Sequence, residues 1–164
     1  MDHTLREWVR LGEKCGLAQA ALDAQAKETR MDRTHIRQVM LAHGHDMQSA
    51  IRTGLEPGLR SVSGLSGGQA VKLLNRMREQ VAAGKNICGP VFGNAMIMAL
   101  AVSETNACMG KIVAAPTAGA CGILPGLLQA LAEERNFQED ALVDALFVAA
   151  AVGESIASQA SISG

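Results

Sequence analysis

The core that this chain can build has almost no rings in it. Three phenylalanines, one tryptophan and no tyrosine stand among 164 residues, although 48% of the sequence is hydrophobic. Alanine, leucine, methionine and glycine supply the bulk instead, and with few aromatic or β-branched side chains they favour closely packed helices over a β-sandwich. A chain of this length buries about 70% of its unfolded surface, which suits one domain spanning residues 1–164. The expectation is an all-α fold, a compact helical domain of six to seven helices joined by glycine-rich loops.

Periodicity places those helices. Leu5, Trp8, Val9 and Leu11 mark an amphipathic helix that ends near Gly16, and a second runs over about 18–30. Asp32 or Thr34 caps a third, with Ile36, Val39, Met40, Met47 and Ile51 facing inward and Gly54 closing it. A helix with Val71, Leu74 and Met77 inward starts around Gln69 and stops at Gly84. Pro90 suits the first turn of the next, which is expected to reach Gly110. "KIVAA" at 111–115 reads as extended or as a short strand, and two more helices cover 123–135 and about 139–160. The chain stops abruptly after "ASQASISG", which reads as a boundary cut, so the sequence is expected to be a fragment.

Several functions are disfavoured. A net charge of −1 gives no electrostatic case for nucleic acid or an anionic membrane. The N-terminus is charged from its second residue and has no apolar signal core. Residues 112–132 carry no charge over a membrane-spanning length, but Pro116, Pro125, Gly119, Gly122 and Gly126 interrupt them. A buried loop and helix is the better account, and no membrane partner is expected. The four cysteines, at 15, 88, 108 and 121, lack an export signal around them and read as reduced cytoplasmic thiols.

Two loops combine glycine with small hydroxyls and each leads into a helix: "SVSGLSGGQA" at 61–70 and "APTAGACGILPG" at 115–126. Free N–H groups and the helix dipole at such a junction favour a carboxylate or phosphate. Glycine that merely lets the chain turn, or lets helices approach, explains the same pattern. Neither loop is a nucleotide fingerprint: no Lys-Ser or Lys-Thr follows the glycines, and no G-x-G-x-x-G follows a strand. His43 and His45 lie two apart and would point to different helix faces, so with His35 they read as solvent-facing. Without a C-x-x-C, Cys121 reads either as a small packing residue or as a metal ligand on accommodating backbone.

"SGLSGG" at 63–68, "NACMGKIVAAPTAGACGILPG" at 106–126 and "ASISG" at 160–164 resemble the iron–sulfur-dependent L-serine dehydratases, in their α subunit or α domain. The resemblance covers essentially the whole chain in order. It implies a helical catalytic domain that deaminates L-serine to pyruvate and ammonia with a 4Fe-4S cluster and no pyridoxal phosphate. It assigns Cys121 as a cluster ligand, and implies further ligands beyond residue 164. An iron with an open position would act as a Lewis acid on the serine hydroxyl while a base removes the α-proton. Ser66, Gly67, Gly68, Asn106, Thr117 and Gly119 are the candidates for holding the substrate carboxylate. No catalytic base is assigned; none of the histidines fits, and a β subunit or domain, in a homo- or hetero-oligomer, is the expected source. The isolated chain is expected to be inactive. Other readings of the same scaffold are a lyase for another small amino acid such as cysteine, a non-catalytic subunit-pairing module, and a phosphate-binding module.

Overall fold

In a computed structural model, described for residues 3–115 and 119–159, seven α-helices and no strand occur among the described residues. They are α1 (Leu5–Cys15), α2 (Leu17–Thr29), α3 (Arg33–Gly54), α4 (Gln69–Ala82), α5 (Gly89–Ala107), α6 (Ala120–Arg135) and α7 (Glu139–Gln159). The all-α expectation holds. Residues 111–115 have no regular secondary structure, and the terminal "SISG" lies outside the described residues. Contacts divide the chain into two compact units, 1–44 with 138–164, and 45–137.

The first unit is built by α1, α2, the first half of α3, and α7. Its core is Trp8, Ala20, Ala21, Leu22, Ile36, Val143, Phe147 and Ala151. Local capping starts two of its helices. Thr4 and Glu7 form a capping box at α1, where the Thr4 backbone N–H and then its side chain hold the Glu7 carboxyl below its ordinary pKa. Asp32 accepts the Thr34 N–H at 2.8 Å at the start of α3, and its bonds to Thr34 likewise lower its pKa. Arg37 spans one turn of α7, binding Asp144 at 2.7 Å and Asp140 at 3.0 Å. Val39, expected to face inward, is instead 43% exposed. It lines a cavity of about 650 Å³ with Trp8, whose buried Nε1 has no hydrogen-bond partner among the described residues. Helix α7 is long and apolar enough to cross a membrane by length and composition, with 28% of that window buried.

The second unit centres on α5. Ala50 and Ile51 of α3, Met98 and Val102 of α5, and Ala130 of α6 form its core, with Ile112 packed against them. The Thr105 hydroxyl, on a residue 1% exposed, donates to the Ala50 carbonyl at 2.7 Å. Lys111 pairs with Asp46 at 2.7 Å. Helices α5 and α6 run antiparallel on a stripe of small residues. A Cβ built on Gly122 would stand 2.7 Å from the Ala99 carbonyl oxygen, and one on Gly126 2.6 Å from the Ala99 nitrogen and 2.7 Å from the Ala95 oxygen. Backbone therefore meets backbone, where dispersion and weak Cα–H···O contacts replace side-chain interlocking.

Two helix boundaries differ from expectation. Helix α5 stops at Ala107 rather than reaching Gly110, because the chain turns there into a Schellman cap. Met109 takes the left-handed conformation (φ 63°), its N–H bonds the Asn106 carbonyl at 3.0 Å, and Gly110 N–H bonds the Thr105 carbonyl at 2.8 Å. Helix α6 begins at Ala120, three residues early, and takes Pro125 into its interior. Proline has no N–H for the carbonyl of Cys121 four residues back, so this position weakens the usual ladder, yet the chain remains helical. The consequence for the site is direct: Cys121 sits in the first turn of a helix, not in a loop.

Candidate functional site

Every described candidate residue belongs to the second unit, around the C-terminal turns of α5. The loop before α4 is tied back on itself. Ser61 N–H donates to the Ser66 carbonyl at 2.9 Å, and Ser66 N–H to the Ser61 hydroxyl at 3.1 Å, while the Ser61 and Ser63 hydroxyls are 3.1 Å apart. Ser66 is exposed; Gly67 beneath it is buried. Gly67 has φ +120°, and a Cβ there would collide with the Leu59 carbonyl and stand 2.9 Å from Arg60 Cα. Glycine is required at this position by conformation and by space.

The peptide group between Gly67 and Gly68 is held at both ends. Arg60 Nη1 donates to its carbonyl at 2.7 Å, and its N–H donates to Glu104 Oε2 at 3.0 Å. Glu104 Oε1 accepts the next N–H, that of Gln69, at 2.5 Å. Glu104 is only 5% exposed. Its partners are the first N–H groups of α4, whose N-cap residue Gly68 supplies no side-chain cap. Sequence reasoning did not single out Glu104. Its signal was present: Ile97, Ala101 and Glu104 recur at helical spacing on a buried face, and a carboxylate there calls for partners.

Asn106, two residues further on, is exposed. Its carbonyl takes part in the Schellman turn, and its amide side chain is left at the surface. Gly119 is the N-cap of α6 in ordinary right-handed geometry (φ −66°), and its carbonyl accepts the N–H of Gly122 at 3.1 Å and of Ile123 at 3.0 Å. Thr117 lies outside the described residues. Cys121 is half-buried, and its sulfur accepts the Ala115 N–H at 3.2 Å. The packing of Gly122 on Ala99 and Ser103, where a Cβ would lie 3.3 Å from Ser103 Oγ, brings the start of α6 alongside α5. Glu104 brings the start of α4 to the same helix. The structure thus gathers the Ser66–Gly68 turn, Asn106 and the Cys121 turn on one scaffold.

A single thiolate with an N–H directed at its sulfur suits one corner of an iron–sulfur cluster, since such hydrogen bonds tune cluster sulfurs. The rest of the donor set does not fit. Cys15 and Cys88 are exposed at other helix ends, Cys108 is the half-buried C-cap of α5, and no group of three or more His, Cys, Asp or Glu that could hold a metal occurs among the described residues. Neither the 650 Å³ cavity nor one of about 250 Å³ beside Cys88, Met77 and Met96 contains a candidate site residue.

The fold and site define an all-α protein organised on a small-residue helical hairpin that collects two glycine-rich helix starts. Residues 12–164 match the family described as serine dehydratase alpha chain, and the chain belongs to that family. A Bacillus subtilis protein named "Probable L-serine dehydratase, alpha chain" is 43% identical over 118 residues, covering 72% of this chain and 38% of the relative. The "L-serine dehydratase, alpha chain" of Peptoniphilus asaccharolyticus is 42% identical over 89 residues, 54% of this chain and 30% of the relative. The "L-serine dehydratase" of Streptomyces coelicolor is 32% identical over 96% of this chain and 34% of its own length. The chain thus spans about a third of the relatives it matches. No solved structure matches it.

Proposed function

We propose that this chain forms part of the α chain of a cytoplasmic L-serine dehydratase, which removes water from L-serine and yields pyruvate and ammonia without pyridoxal phosphate. The observation that carries the reading is the convergence on α5 of two motifs, the Ser66–Gly68 turn and the Cys121 turn, within a chain of the serine dehydratase alpha family. Ser66 and Asn106 present an exposed hydroxyl and amide able to bind the serine carboxylate. Gly68 contributes backbone shape rather than a donor, because its N–H is engaged by Glu104. Cys121 would hold one iron of a 4Fe-4S cluster. The other thiolates, and the base that takes the α-proton, are assigned to parts of the assembly beyond the described residues, including a β subunit or domain. Exposed apolar side chains on and beside these turns support such a partner: Val62 is 94% exposed, Leu65 89% and Met109 84%.

The test is pyruvate formation from L-serine by the anaerobically purified native assembly, against a panel including L-cysteine and L-threonine. Serine should be turned over most efficiently, and this chain expressed alone should give no pyruvate. Preference for another amino acid would move the protein to a related lyase. An assembly inert on all of them, with Cys121→Ser leaving its properties unchanged, would make the chain a subunit-pairing module.

A further inference from the structure

We infer that Glu104 is a positioning residue of this site: its buried carboxylate, with Arg60, fixes the Gly67–Gly68 peptide plane and so sets where Ser66 meets the substrate. The inference rests on the serine dehydratase reading for its substrate, but not for its geometry.

A buried carboxylate is costly unless it is paired and hydrogen-bonded. None of the ion pairs among the described residues includes Glu104. It is satisfied instead by two backbone N–H groups 35 and 36 residues away in sequence, at 2.5 and 3.0 Å, and by the positive end of α4. An ordinary helix cap would not require this. Ser, Thr, Asp or Asn at position 68 would cap α4 locally, as Thr4 and Asp32 do elsewhere in the chain. Here position 68 is glycine with φ +79°, and the capping anion is brought from α5. The remote cap does what a local one cannot: it ties the orientation of the turn to the helix that carries Asn106 two residues later.

The peptide plane is held from opposite edges. Arg60 pulls on the carbonyl and Glu104 on the N–H, so rotation of that peptide breaks both bonds together. With φ +120° and +79° the two glycines have little intrinsic preference for this arrangement. Without the clamp the turn would sample others, and the hydroxyl of Ser66 would move with it.

Glu104→Gln tests this in the native assembly. It keeps shape and volume but offers one acceptor where two N–H groups converge, with its NH2 opposed to the other. Hydrogen exchange should show the Gly68 and Gln69 amides opening roughly 10–100-fold faster, the scale of a lost charge-assisted hydrogen bond. The KM for L-serine should rise about tenfold or more, with iron content unchanged and kcat less affected. Glu104→Asp, which keeps the charge but shortens the reach, should fall between the wild type and Gln. It also serves as the test variant if Gln does not fold. Unchanged exchange at both amides overturns the clamp. Faster exchange with a lowered thermal midpoint but an unchanged KM overturns positioning and leaves a structural cap. A wild-type assembly inert on serine sinks the dehydratase reading alone; exchange at Gly68 and Gln69 then still decides the clamp, faster in the variant if Glu104 holds the turn and unchanged if it does not.

Discussion

The two glycine-rich stretches look interchangeable on paper, and the molecule uses them for opposite reasons. Before α4, Gly67 and Gly68 are glycine because the backbone takes positive φ there, and at Gly67 because Leu59 and Arg60 leave no room for a methyl group. At the start of α6 the glycines have right-handed geometry and Gly122 and Gly126 are glycine only because the backbone of α5 lies against them. The first stretch is a turn suited to glycine and held by polar bonds from Arg60 and Glu104; the second is a packing stripe. A helix start can thus be aimed by a remote carboxylate or by close approach to a neighbouring helix, and here one of each converges on α5.

Substitutions can break that contrast. Gly67→Ala combines a forbidden φ with a backbone collision and should cost the most, about 3 kcal/mol in chemical denaturation, with loss of the Ser61–Ser66 turn. A loss below about 1 kcal/mol would mean that the turn is not constrained as described. Gly126→Ala inserts a methyl between helices whose backbones cannot retreat independently, and about 2 kcal/mol of overpacking is expected, read as a lowered urea midpoint at constant m. The smallest effects form a pair. Gly68→Ala meets no atom of the described residues within 4 Å but has φ +79°, so it should cost about 1 kcal/mol and Gly68→Asn clearly less. Gly119→Ala has φ −66° and, among the described residues, only Ile123 Cδ1 near it at 3.9 Å, so it should be neutral or stabilising by about 0.5 kcal/mol. If Gly119→Ala proves as harmful as Gly68→Ala, the distinction between the two stretches fails.

What could be read from the sequence divides along the same line. Helix number and class were legible because apolar spacing and punctuation by Gly and Pro report local structure, as in α4 between Gln69 and Gly84. The motifs were legible as a family resemblance. The start of α6 was misplaced because Pro125 reads as a helix breaker, whereas packing on Ala95 and Ala99 outweighs that local preference. The end of α5 was misplaced because a methionine at φ 63° carries no local signal of a left-handed cap. Glu104 was passed over for a different reason: its partners stand 35 and 36 residues away, and no local pattern pairs a carboxylate with the N–H groups of two distant residues.

The most direct test of the site is iron retention by the anaerobically purified native assembly, compared across Cys121→Ser, Cys108→Ser and Cys88→Ser. The account predicts that Cys121→Ser loses the cluster iron and its sulfide-to-iron absorbance, while the other two keep both. Full iron content in Cys121→Ser, or equal loss in Cys108→Ser, would contradict the assignment of the α6 turn as the place where this chain meets a cluster.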